Sequence, residues 1–156
     1  MTPTPSQTVG PFFGFALPFE QDAHAVPASA KGAIRIEGQL LDGAGEPVPD
    51  GLLEVSRGDQ FARCRTDVEG AFHFTVRKPV AESGAPFLHV TVFGRGLLRH
   101  LNTRLYFPDE SNATDADPVL RLVDALRRPT LVARREGQVL RFDVRLQGEG
   151  ETVFFE

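Results

Sequence analysis

The sequence predicts an all-β domain, an antiparallel β-sandwich preceded by an N-terminal arm and carrying one short late helix. Three observations point that way: short runs in which apolar and polar residues alternate, turn residues between most of those runs, and a single stretch with helical spacing. At 156 residues the chain is long enough to bury one core, so one sandwich over residues 33–156 is expected, with residues 1–32 as arm and connection.

The arm, MTPTPSQTVGPFFGFALPFEQ, mixes proline, glycine and phenylalanine. It is too rigid for a helix and too apolar to be left in water, so it packs on its own domain or on another body. EQDAHAVPASAKG reads as a flexible connection. In AIRIEGQLL, Ile34, Ile36 and Leu40 alternate with Arg35, Glu37 and Gln39, the period of a half-buried strand. DGAGEPVPDG supplies turn residues, and GLLEVSR, QFARCRT and AFHFTVR follow as expected consecutive antiparallel strands, the last two separated by DVEG. FLHVTVF is apolar on both faces, which suits a central strand. NTRLYF is a further strand, and VLRFDVRLQ closes the pattern with Leu140, Phe142, Val144 and Leu146 on one side.

DADPVLRLVDALRRP carries the helical spacing: Asp117 as cap, Pro118 in the first turn, Pro129 as terminator, and Val119, Leu122, Val123 and Leu126 as an apolar stripe expected to lie across a sandwich edge. VAESGAP and PDESNATDAD read as solvated loops.

Composition excludes several classes. A net charge of -4 and a pI of about 5.6, with no basic run, argue against nucleic acid or an anionic membrane as partner. The single cysteine, Cys64, can neither staple the chain nor build a zinc site, and it reads as a small core residue. No apolar run approaches a membrane span and no basic-then-apolar leader opens the chain, so a cytoplasmic protein is expected.

The ionisable inventory is small: four histidines, one tyrosine and one cysteine, with no HExxH, P-loop or GxSxG pattern. His24, His73 and His100 read as exposed polar residues. His89 shares its strand face with Phe87 and Phe93, which fits a satisfied core histidine.

TPSQTVGPFF, IEGQLLDGAGEPVPDGLLEV, HLNTRLYFPDE and RFDVRLQGEGETVFFE together resemble the alpha subunits of the protocatechuate 3,4-dioxygenases, within the intradiol ring-cleavage dioxygenase family. TPSQTVGP and LQGEGETVFF are the most specific pieces, being neither generic strand nor generic turn. The resemblance implies a hetero-oligomer that cleaves the small aromatic substrate protocatechuate with dioxygen, in the beta-ketoadipate route of aromatic catabolism. It also implies that the beta subunit holds the cofactor, Fe(III), on two tyrosinates and two histidines. Phenolate oxygen suits hard ferric iron. This chain has one tyrosine, Tyr106, in a segment that is structural in the family, and the family's HxH pair falls on Phe87 and His89, so His89 is the vestige of a lost site.

By the same resemblance, residues 1–32 pack on the beta subunit, and Thr8, Gly10 and Pro11 line the substrate pocket. A proline-stiffened arm loses little entropy on docking, Phe12, Phe13 and Phe15 can bury area, and Gly10 lets backbone approach a ligand. Arg95 of the FxRG segment stands near that pocket, where a cation would steer a carboxylate, although an arginine between two glycines is also an ordinary surface residue. The sequence departs from the family where Ser56 replaces a usual tryptophan and where SRGDQFARCRT is shortened. These departures leave a second reading, a stand-alone sandwich used for binding, without an enzymatic role.

Overall fold

The computed structural model describes residues 3–81 and 84–155, the Ser111 side chain excepted. Met1 and Thr2 of the predicted arm, Glu82 and Ser83 of the VAESGAP loop, and Glu156 at the end of the predicted domain lie outside the described residues.

Alternation becomes two packed sheets. β1 (Ala33–Leu41), β2 (Leu52–Arg57), β3 (Gln60–Arg65), β4 (Ala71–Arg77), β5 (Phe87–Phe93) and β6 (Leu101–Tyr106) match the runs read from the sequence. Sheet one has the order β4-β1-β8-β7, where β7 is Arg134–Glu136 and β8 is Val139–Arg141; sheet two is β3-β2-β5-β6. Ile36, Leu40, Phe74 and Val76 from sheet one meet Leu53, Val55, Leu88 and Val90 from sheet two, all at most 1% exposed. Burying each such side chain contributes about 1.5–3 kcal/mol.

Several expectations are corrected. β2 and β3 form the expected hairpin, but the chain then crosses over and β4 pairs with β1, not with β3. VLRFDVRLQ is not one strand: β8 ends at Arg141, and β9 (Val144–Arg145) resumes the pairing with β1, both in parallel with it. Between them the Phe142 carbonyl crowds Gly38, where a side chain would overlap it, and Asp143 Oδ1 accepts the Gln39 N–H at 3.0 Å.

The connection read as flexible is tied down. Ala25 N donates to Thr75 O and Thr75 N to Ala23 O, each at 2.9 Å, so residues 23–25 cover the free edge of β4. The Gln60 side chain clasps the seam between the sheets, its amide donating to Arg77 O at 3.0 Å and its oxygen accepting Arg77 N at 2.6 Å.

The predicted helix does not form as read. A helix, α2 (Ser111–Ala116), arises earlier, within PDESNATDAD, and gives way to 3-10 turns at Leu120–Leu122 and Arg128–Leu131. Pro118 is the cause: the residue before a proline is pushed out of the helical region, and Asp117 is extended at ψ 125°. Asp117 still caps, its Oδ1 accepting Val119 N at 2.9 Å and Leu120 N at 3.1 Å. The expected stripe packs only in part: Val123 rests against the core, but Leu122 and Leu126 are 87% and 90% exposed while Leu120 and Leu131 are buried instead. Those two join Ala85, Phe87 and Tyr106 in a second, smaller core. β5 is therefore central and buried on both faces at its start.

Candidate functional site around His89

β5 and β6 pair in a register that sets Phe87 beside Tyr106 and His89 beside Arg104. His89 is exposed rather than buried as its apolar neighbours suggested, because the second core covers only the beginning of the strand. Its ring meets Phe87 edge-on with centroids 4.9 Å apart, and Arg57 and Arg104 each hold a guanidinium 4.1 Å from the Phe87 centroid. His89 Nε2 is 3.4 Å from Arg57 Nη1. Partial desolvation, then the Arg57 and Arg104 charges, hold the imidazole pKa below its ordinary value.

Tyr106 is fully buried. Its hydroxyl donates to Asp117 Oδ1 at 3.2 Å and accepts from Arg104 Nη1 at 3.1 Å. Burial lifts the phenol pKa against the opposing pull of Arg104, which keeps the proton on the oxygen.

These residues do not fit ferric iron. The lone phenol is protonated and committed, and two guanidiniums flank the one histidine where a trivalent cation would have to approach. Among the described residues no three of His, Cys, Asp and Glu converge in a metal-holding group.

The arm residues lie elsewhere. Thr8 reaches the loop after β5: its hydroxyl donates to Gly94 O at 3.5 Å and accepts from Gly96 N at 2.9 Å. Gly96 has φ +89°, which only glycine adopts readily, and this aims its N–H at Thr8. Thr8 and the Arg95 loop are thus brought together. Gly10 and Pro11 stand exposed, with open space where a Gly10 side chain would be. The Arg95 guanidinium is paired with Asp50, so it is not a bare cation.

Contrary to the arm's reading as too rigid for a helix, one short turn of helix forms beyond Pro11: α1 (Phe13–Ala16) seats Gly14 against the Arg65 side chain, and Leu17 O accepts Arg63 Nη1 at 3.0 Å. The arm therefore rests on its own domain along the free edge of β3, yet Phe12, Phe15 and Phe19 remain 69–75% exposed. Cys64 packs against the main core and its Sγ–H donates to Arg65 O at 3.3 Å.

Sequence reading missed Arg57 and Arg104 around His89, the Asp50 partner of Arg95, and the joint use of Asp117 by Tyr106 and the turn. Cross-strand register decides the first of these, and a loop of uncertain geometry between β5 and β6 leaves that register open in the sequence.

The fold is that of the intradiol dioxygenases. The dioxygenase domain of a dioxygenase carbohydrate-binding protein fusion from Streptomyces sp. SirexAA-E superposes with a TM-score of 0.65 over 94% of this chain and 99% of that one, at 23% identity. Catechol 1,2-dioxygenase from Pseudomonas arvilla C-1 gives 0.60 over 80% of this chain and 55% of that one, at 19% identity. No family model matches the chain. The protocatechuate 3,4-dioxygenase alpha chain of Burkholderia cepacia is 40% identical over 190 aligned positions, covering 98% of this chain and 96% of the relative. That of Pseudomonas putida is 35% identical over 98% of this chain and 96% of its own length. The chain belongs to the protocatechuate 3,4-dioxygenase alpha-chain family. An alignment of 190 positions against a chain of 156 residues means that the relative carries segments this chain lacks. The protocatechuate 3,4-dioxygenase beta chain of Burkholderia cepacia is also similar, at 28% identity over 79% of this chain and 61% of that one.

Proposed function

We propose that this chain is the metal-free alpha subunit of a hetero-oligomeric intradiol dioxygenase that cleaves protocatechuate with dioxygen to 3-carboxy-cis,cis-muconate in the cytoplasm. Fe(III) is held by the beta subunit, and this chain contributes pocket wall and assembly. The observation that carries the reading is the state of Tyr106, the only tyrosine, whose buried hydroxyl is bound to Asp117 and Arg104 and has no freedom to become a phenolate ligand. The alpha-chain relatives support the role, and the similarity to a beta chain supports a partner of the same fold.

Within this proposal Thr8, Gly10 and Pro11 line the substrate pocket, and residues 1–32 dock on the partner. The arm suits docking because it is held at Thr8, Gly14 and Leu17 while Phe12, Phe15 and Phe19 stay exposed. Arg95 serves the carboxylate of the substrate only by exchanging Asp50 for it, an exchange of one charge-assisted pair for another.

The test is to produce the chain alone and together with a beta chain, separate the polypeptides, and measure iron and oxygen uptake with protocatechuate. Iron and ring cleavage are expected only where the beta chain is present. Iron-dependent oxygen uptake by the isolated chain would overturn the division of labour.

A further inference from the structure

A cavity of about 310 Å³ opens on the outer face of sheet one. Its floor is laid by alternation: Leu140, Phe142 and Val144 point into the core, so Arg141, Asp143 and Arg145 point out. Arg134 of β7 forms one flank, and Thr130 and Thr152 complete the lining. This volume is at the small end of the range for small-molecule sites.

The charges in it do not balance. Asp143 serves two arginines at once, accepting Arg141 Nε at 2.7 Å and Arg134 Nη2 at 3.1 Å, besides the Gln39 N–H. Arg134 also touches Glu136, at 4.0 Å across well-exposed side chains, where an ion pair contributes little. The Arg145 guanidinium lies over Gly45 and has no carboxylate partner among the described residues. Thr152 adds a second, independent sign. It is 1% exposed, its Oγ1 accepts the Arg145 N–H at 3.0 Å, and its own O–H has no acceptor among the described residues. Thr152 borders the cavity, and with its oxygen already taken by the Arg145 N–H its hydroxyl hydrogen is what it can offer a ligand.

We infer that this cavity binds a small, multiply charged oxyanion, a di- or tricarboxylate or a phosphate, gripped by Arg145 and Arg134 with the Thr152 hydroxyl as neutral donor. Guanidinium forks match carboxylate and phosphate oxygens in pairs, and Asp143 holds Arg141 and Arg134 in place beside the cavity. The site shares no residue with the arm and does not depend on the dioxygenase reading.

Calorimetric titration of the full chain with citrate and, separately, inorganic phosphate at matched ionic strength tests this. At least one probe is expected to bind with a dissociation constant below about 1 mM, and which of the two binds names the anion. Arg145→Gln is expected to weaken binding at least about tenfold, Arg145→Lys less, and Arg121→Gln, on the exposed 120–122 turn, not at all. Should Arg145→Gln fail to fold, Arg134→Gln, with a side chain 68% exposed, gives the same reading. The inference is overturned if neither probe binds below about 1 mM, or if the Arg145 and Arg134 variants bind as the unmodified chain does.

Discussion

Asp117 is the residue on which the second core turns. Its Oδ1 accepts the Tyr106 hydroxyl and the Val119 and Leu120 N–H groups, and its Oδ2 accepts Ala85 N at 3.2 Å, all at 2% exposure. A carboxylate can take that many donors because it has only acceptor sites, and no neutral side chain of its size can. Asp117→Ala leaves four donors without their acceptor, three of them backbone groups in or beside the core. Each orphaned buried group costs about 1–3 kcal/mol, so a loss of about 3 kcal/mol or more is expected in urea unfolding. A loss below about 1 kcal/mol would mean that water replaces the carboxylate and that the turn at 118–122 does not depend on it. The signal in the sequence was Asp-Pro. It was readable as a cap, but the partnership with Tyr106 needed the fold to bring the two together.

The arm is the element where local chemistry and exposure diverge. Thr8 at the 94–96 loop, Gly14 against Arg65 and Leu17 O on Arg63 fix its path, whereas among the described residues Phe12 and Phe19 make no ring contact and Phe15 meets the Arg65 guanidinium at 4.6 Å. Replacing Phe12, Phe15 and Phe19 together by alanine should leave the melting temperature of the isolated chain nearly unchanged, since exposed substitutions shift stability by about 0.5 kcal/mol or less each. Association with the beta subunit, read by sedimentation, should weaken by about tenfold or more, because aromatic anchors dominate interfaces. The reverse pattern would assign the phenylalanines to the chain's own stability. The strands were legible because alternation with period two writes burial directly into the sequence; β1 was bounded at Ala33–Leu41 as read. The helix over 115–129 was not, because spacing at Val119, Leu122, Val123 and Leu126 says nothing of whether Pro118 lets the backbone follow it. The strap at 23–25 was missed for another reason: its hydrogen bonds go to Thr75, some fifty residues away, and no local pattern encodes them. At the site, the shortage of phenols was visible in a count of tyrosines, while Arg57 and Arg104 beside His89 emerged only from register.

For the molecule as a whole, partial desolvation and neighbouring guanidiniums at two histidines set how stability responds to mild acid. His73 lies beneath the strap, where desolvation, then Arg35 and His24, lower its pKa below 6.5, with Glu37 opposing; His89 is lowered by desolvation, then Arg57 and Arg104. In the unfolded chain both titrate near 6.5, so as pH falls through that value the unfolded state takes up protons that the native state refuses. Stability is therefore full above about pH 6.5 and declines on acidification until the native pKa values are reached. A second decline lies lower. The Lys78 ammonium, 2.5 Å from Asp109, holds that carboxyl below 3.8, so its contribution persists above that pH and is lost as pH falls through the native pKa. Calorimetric melting between pH 7.5 and 3 should show both limbs, and the double variant His73→Gln, His89→Gln should flatten the upper one while leaving the lower intact. A melting temperature that rises as pH falls from 7 to 5 would mean that these imidazoles gain partners on folding rather than lose water, which the guanidiniums facing each of them oppose.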